Sequence, residues 1–204
     1  MGGTHVGKIW AISSCIASMA CATGYYFPYW MEGTYMSNSG GVVAVYFGLF
    51  RKCPEIHAGE DGTVKVLENC GRYGGFYDIP SISWQISTIL TGVGTSLSVL
   101  VAVSALVSLF FSDLVTWLLT RLAGILQMSA GVLVIMGVMI YPRGWDATEV
   151  IQACGPMSGA YQLGDCSLHW SLYMTATGGA ITIVCSVFSC HVFRGKSYRT
   201  SYSV

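Results

Sequence analysis

The stretch Trp30 to Cys70, WMEGTYMSNSGGVVAVYFGLFRKCPEIHAGEDGTVKVLENC, decides the reading of the fold. It lies between the first two apolar runs and carries Trp30, the triplet Gly48-Leu49-Phe50 and two cysteines, Cys53 and Cys70, around Gly59-Glu60-Asp61-Gly62. Asp-Gly between alternating segments is a strong hairpin signal, because both central residues of a type I′ turn need positive φ. With Asp61 and Gly62 as those residues, facing positions have numbers that sum to 123, and Cys53 faces Cys70. Counting outward makes this an open pair, where side chains approach closest. Pro54 takes the adjoining hydrogen-bonded position and has no N–H to donate, so the ladder is expected to fray or bulge there. A disulfide across this loop contributes about 3 kcal/mol by restricting the unfolded chain, and a small sheet with little core of its own needs such a staple.

The surrounding composition sets the environment. Of 204 residues 53% are hydrophobic and only 10% are charged, with a mean hydropathy of +0.57. A soluble domain carries about 25% charged residues, so this is a membrane protein. The formal net charge is zero and there is no long basic run, which leaves nothing to favour nucleic acid. Cys53, Cys70, Cys154 and Cys166 lie in polar segments, whereas Cys15, Cys21, Cys185 and Cys190 lie in or beside apolar runs. The polar four read as two disulfides in an oxidising compartment. They lack the Cys-x-x-Cys spacing of zinc sites.

Four apolar runs are long enough to cross a hydrocarbon core, which takes about 20 residues: about 9–29, 82–111, 122–141 and 168–193. Ala20-Cys21-Ala22 resembles a signal-peptidase site, but the run continues past it through Trp30, so the first run reads as a retained helix. Met1-Gly2 is followed by Val6 where myristoylation requires Ser or Thr. Ser14, Ser18 and Ala22 make a small-residue face suited to packing within the bundle. Gly124, Gly131 and Gly137 mark close approaches on the third run. The second run exceeds what a bilayer requires, so one end is expected to project. Trp117, Leu118 and Leu119 fall in the link 112–121, where the membrane interface would suit them. The chain thus reads as a single tetraspan domain.

Charge orients it. Residues 1–8, 112–121 and 194–204 share one side, with Lys8, Arg121, Arg194, Lys196 and Arg199 against the single acid Asp113. The positive-inside rule makes this side cytoplasmic, at the plasma membrane. Segments 30–81 and 142–167, with all four polar-segment cysteines, are then extracellular.

Nothing in the sequence supplies chemistry. His5, His57, His169 and His191 are too scattered for a shared metal, no catalytic motif is present, and the runs hold no internal Asp, Glu, Lys or Arg. Intramembrane ionisable groups usually mark ion pathways, so their absence argues against a transporter or autonomous pore. No enzyme, cofactor or metal is expected; bound lipid or sterol, and palmitate on Cys190 at the inner end of the fourth run, are the small molecules the sequence admits. Trp30 and Phe50 are expected in the core between sheet and membrane. The terminal Tyr202-Ser203-Val204 fits a strand-adding PDZ ligand.

Two sets of residues carry a family likeness. Trp30, Gly48-Leu49-Phe50, Cys53 and Cys70 resemble the claudin-like signature Trp, Gly-Leu-Trp, Cys, Cys, with Phe50 for its last tryptophan and a longer gap between the cysteines. Phe27-Pro28-Tyr29-Trp30, Cys70-Gly71-Arg72-Tyr73, Tyr141-Pro142 with Gly144-Trp145-Asp146, Glu149-Val150, Cys154-Gly155, and Leu163-Gly164 with Cys166 and Trp170 are similar to the lipoma HMGIC fusion partner-like tetraspan family. That resemblance covers nearly the whole chain. It implies an all-α membrane protein, a left-handed four-helix bundle under a small extracellular antiparallel sheet. It also implies that Cys53 pairs with Cys70 and Cys154 with Cys166. Relatives serve as auxiliary subunits of the hair-cell mechanotransduction channel and of inhibitory pentameric receptors, which implies a non-conducting partner of channel or receptor subunits. Claudin-like adhesion or paracellular barrier function is the alternative. Both polar segments are expected to build the recognition surface.

Overall fold

The computed structural model describes residues 5–36, 42–53, 55–58, 64–67, 70–110 and 116–200, with 36, 55–58, 64–67, 117 and 190–200 by backbone alone. In chain order the elements are α1 (His5–Tyr26), β1 (Met31–Met36), β2 (Val42–Phe47), β3 (Arg51–Cys53), β4 (Glu55–Ala58), β5 (Val64–Leu67) and β6 (Gly71–Arg72). A 3-10 turn (Phe76–Asp78) leads to α2 (Ile82–Phe110) and α3 (Trp117–Ile140). A second 3-10 turn (Tyr141–Asp146), α4 (Thr148–Cys154), β7 (Ser167–Leu168) and α5 (Trp170–Thr200) complete the chain.

Four helical segments are long and apolar enough to span a membrane: His5–Tyr26, Ile82–Phe110, Leu118–Asp146 and Trp170–Ser189. In lipid an isolated apolar segment must satisfy its own backbone hydrogen bonds, and only the helix does so. At about 1.5 Å per residue, the 29 residues of α2 reach well beyond a core about 30 Å thick. Three expectations change. The third helix starts at Trp117, not at Leu122, so Trp117, Leu118 and Leu119 are helical rather than part of a link; Arg121 near a helix end can extend its charge to water. Leu168, expected to open the fourth span, instead pairs in β7. The polar segment after the third span contains α4, whose Val150, Ala153 and Cys154 are buried.

The chain forms two compact units. The sheet unit comprises Thr23–Leu90 and Met136–Met174. Its main sheet has the order β6-β3-β2-β1-β7, and every pairing is antiparallel. The outermost strand β7 comes from the second polar segment and pairs with β1 through Met31↔Leu168 and Glu32↔Ser167. Both polar segments therefore build one sheet.

The hairpin register differs from the expectation. β3 and β6 pair as Arg51↔Arg72 and Lys52↔Gly71, numbers that sum to 123 as expected. β4 and β5 pair as Glu55↔Leu67 through Ala58↔Val64, numbers that sum to 122. This ladder is one residue out of the expected register, and Asp61-Gly62 itself lies outside the described residues. Two residues separate Lys52 from Glu55, whereas three separate Leu67 from Gly71, so one extra residue enters the second strand. Pro54, where a fray or bulge is expected, lies outside the described residues.

The helical unit comprises Met1–Ala22, Thr91–Ile135 and Thr175–Val204. Small residues set its spacing. A Cβ on Gly94 would lie 2.7 Å from the Ala130 carbonyl oxygen, one on Gly131 2.9 Å from the Gly179 oxygen, and one on Gly178 2.7 Å from Cys21 Sγ. Gly124 likewise abuts Ser189. Ser14 and Ser18 are buried with Ala11, Ala17 and Cys21, so this face of α1 packs within the chain, while Ala22 is only half-buried.

Candidate functional site

The sheet unit is assembled around Trp30. This residue follows the end of α1 and is fully buried. Its Nε1 donates to the Gly24 carbonyl at 2.7 Å, its backbone N–H to the Phe47 carbonyl at 3.1 Å, and its own carbonyl accepts the His169 N–H at 2.9 Å. One tryptophan thus ties the end of α1 to the end of β2 and to the residue before α5. Its ring meets Tyr141 at 4.8 Å, and Tyr141 stacks on Trp84 at 4.8 Å with only 7° between planes. Trp84 Nε1 donates to the Tyr141 carbonyl at 3.0 Å, and the Tyr141 hydroxyl to the Phe47 carbonyl at 3.4 Å. Every polar handle on these three rings is therefore satisfied, as buried aromatic N–H and O–H groups require.

The remaining motif residues serve this core. A Cβ on Gly48 would lie 2.6 Å from Pro28 Cα, so the backbone contact between β2 and the segment after α1 requires glycine there. Leu49 is buried and its carbonyl accepts from Thr88 Oγ1 at 2.9 Å. Phe50 is only half-buried, with its ring 4.9 Å from Tyr25. The expectation of a core role thus holds fully for Trp30 and partly for Phe50. Gly144 leaves room for the Trp84 indole, since a Cβ there would lie 2.7 Å from its Nε1. Trp145 is buried and its carbonyl accepts from Ser158 Oγ at 2.9 Å; the Pro142 carbonyl accepts the Tyr161 N–H at 3.0 Å; Asp146 is exposed.

Two disulfides fasten the unit, Cys53–Cys70 and Cys154–Cys166. The first has a Cα separation of 4.3 Å, the narrow spacing of an open antiparallel pair. The second closes α4 onto β7, and Cys166 and Ala153 both abut Gly33 of β1.

Polar contacts extend from this frame. Lys52 Nζ lies 3.6 Å from Glu149 Oε2 and over the Tyr73 ring at 5.3 Å, joining β3 to α4. Glu32 of β1 lies 3.9 Å from His169 Nε2 and accepts from the Tyr46 hydroxyl at 3.3 Å. Burial, then the nearby charge of Glu149, holds the Tyr73 hydroxyl well above the usual tyrosine pKa. Burial and then Glu32 raise that of Tyr46. Among the described residues no three His, Cys, Asp or Glu side chains converge on a common point. The side chain of Cys190, and Tyr202 and Val204, lie outside the described residues.

The sequence did not single out Trp84, the Glu32–His169 pair or the Lys52–Glu149 bridge. Trp84 is the only tryptophan of the second apolar run, and its indole N–H needs an acceptor in a low-dielectric setting. The Lys52–Glu149 bridge and the Glu32–His169 contact join residues distant in sequence and leave no local trace.

Comparison with known proteins agrees with this arrangement. The family model described as lipoma HMGIC fusion partner-like protein matches residues 6–196. The chain is 28% identical over 196 residues to the human LHFPL tetraspan subfamily member 2 protein, covering 89% of this chain and 84% of the relative. It is 30% identical over 173 residues to the Danio rerio LHFPL tetraspan subfamily member 3 protein, covering 85% of this chain and 74% of the relative. It is 28% identical over 173 residues to the Mus musculus LHFPL tetraspan subfamily member 4 protein, covering 85% and 66%. With four spanning helices, a small antiparallel sheet and a match along almost its entire length, the chain belongs to the lipoma HMGIC fusion partner-like family of tetraspan membrane proteins.

Proposed function

We propose that this protein is a non-enzymatic auxiliary subunit that binds a channel or receptor in the plasma membrane and aids its assembly, trafficking or gating. A mechanotransduction-type complex is one such setting. The observation that carries the reading is a division of labour. The spans have no Asp, Glu, Lys or Arg from Ile9 to Tyr26, Ile82 to Phe110, Leu122 to Ile140 or Trp170 to Ser189, whereas the folded mass beside them is a sheet stapled by two disulfides. Spans without ionisable groups suit a partner better than a pore, and a pre-organised sheet binds at low entropic cost. Cytoplasmic termini would leave the carboxyl terminus free for a PDZ scaffold.

The claudin-like alternative rests on side-by-side polymerisation through sheet edges. The edge strands β6 and β7 have two residues each, which is how sheets avoid strand addition. Purification of the intact chain from native membranes, followed by mass spectrometry, tests the proposal. Stoichiometric recovery with a channel or receptor subunit is expected. Recovery as a self-associated strand at cell contacts would replace the proposal with the alternative.

A further inference from the structure

The turn between α4 and β7 carries a backbone conformation that side-chain-bearing residues seldom take. Tyr161 has φ +62°, in the left-handed region, which is uncommon for any residue other than Gly, Asn or Asp. It sits in a tight reversal in which Gly159 and Gln162 exchange both backbone hydrogen bonds, at 2.9 and 2.8 Å. Glycine would relieve this position, yet a large aromatic occupies it, and its side chain is 63% exposed. Nor is it alone, since Met157, four residues earlier, is 77% exposed. Two large apolar side chains are therefore exposed on one short turn.

The Tyr161 hydroxyl shows where that turn lies. It donates to the Met139 carbonyl at 3.4 Å, one of the last carbonyls of α3. Met139 is itself 65% exposed and lies within the candidate span Leu118–Asp146. Its side chain continues the exposed apolar face of Val132 and Met136. The tyrosine hydroxyl is therefore placed at the end of α3, beside the exposed Met139. The Tyr161 N–H is held by the Pro142 carbonyl at 3.0 Å, and the next residue, Arg143, is an exposed cation. An apolar ring, a polar tip and a neighbouring cation are what the boundary between acyl chains and headgroups accommodates.

We infer that the turn Met157–Tyr161 is a membrane-interface anchor, dipping Met157 and Tyr161 into the phospholipid headgroup layer beside the end of α3, with Arg143 at the level of the phosphates. The occupant of this surface is the bilayer itself, because the turn adjoins the exposed apolar face of Val132, Met136 and Met139 on a helix long and apolar enough to span a membrane. The left-handed conformation of Tyr161 is the local cost of directing the ring toward that face.

Photo-crosslinking tests this directly. The photoreactive residue p-benzoylphenylalanine is placed at position 157, at 161, or at 44 on the exposed β2 residue Ala44, in the full chain reconstituted in phosphatidylcholine vesicles. Retention of both disulfides verifies folding of each variant. Phospholipid adducts are expected at 157 and 161, several-fold above those at 44. Position 157 makes this robust, because no hydrogen bond of the turn depends on its side chain. A folded protein with lipid labelling at 157 no higher than at 44 would overturn the inference. So would irradiation in cell membranes that linked position 157 to another protein instead of to lipid.

Discussion

The sheet unit and the helical unit bury different kinds of side chain. In the sheet unit the fully buried positions include Trp30, Trp84 and Tyr141, whose polar atoms all find backbone carbonyls, and two disulfides close the chain around them. In the helical unit the buried positions include Ala11, Ala17, Cys21, Ala130 and Val134, interleaved with hydroxyls of Ser14, Thr91, Thr95, Ser98 and Thr182. Among the described residues Trp10 is its one buried aromatic, and it donates to Gln127 Oε1 at 3.0 Å, while Gln127 Nε2 donates to Ser14 Oγ at 2.8 Å. Water drives large apolar groups together, so a small sheet gains most from big rings and covalent staples. Lipid supplies no such drive between helices, and there close backbone approach and interhelical hydrogen bonds hold the structure. The two interiors reflect two solvents.

That contrast can be broken by substitution, beginning with the aromatic core. Trp84→Ala removes the stack on Tyr141 and the donor to its carbonyl, and should cost about 3–5 kcal/mol. Thermal unfolding in lipid nanodiscs measures it, and a loss below about 1 kcal/mol would mean that the rings are not the core of this unit. Replacing Cys53 and Cys70 by serine together should cost about 3 kcal/mol, read as a lower unfolding temperature, with a further fall when reducing agent opens the remaining Cys154–Cys166 bond. In the helical unit, Gly131→Ala forces a methyl against the Gly179 carbonyl and Ile183, with an expected loss of about 1–3 kcal/mol. Gln127→Leu, which severs Trp10 from Ser14, should cost only about 0.6–2 kcal/mol, the range found for interhelical hydrogen bonds in membranes.

The smallest effect is the most discriminating. The Thr91 hydroxyl is fully buried and meets no acceptor among the described residues. Thr91→Val should therefore leave stability unchanged or raise it, because removing a polar group that has no partner relieves its desolvation cost. A loss above about 1 kcal/mol would show that this hydroxyl bonds to an internal water or a further group.

The contrast also explains what the sequence disclosed. The four spans and the tryptophan and cysteine pattern were legible because each depends on local composition or on residues a short loop brings together. The hairpin register was legible only to within one residue. Asp61-Gly62 predicts a single register, but the pairing sum changes from 123 at Lys52↔Gly71 to 122 at Glu55↔Leu67, a shift that no local residue pattern specifies. The seven residues of α4 carry no side-chain cap, and the two residues of β7 are too few for any period to register. Both elements exist because tertiary partners stabilise them: β1 for β7, and the buried face of Val150, Ala153 and Cys154 for α4. The Trp84–Tyr141 stack joins residues 57 apart in sequence and has no local signature.

The central claim is that both polar segments form one stapled sheet unit, with Cys53 bonded to Cys70 and Cys154 to Cys166. Peptide mapping of the intact chain under non-reducing conditions tests it most directly. Two linked peptides are predicted, one spanning each pair, with Cys15, Cys21 and Cys185 recovered as thiols. Recovery of Cys53 as a free thiol, or linked to Cys154 or Cys166, would contradict the account.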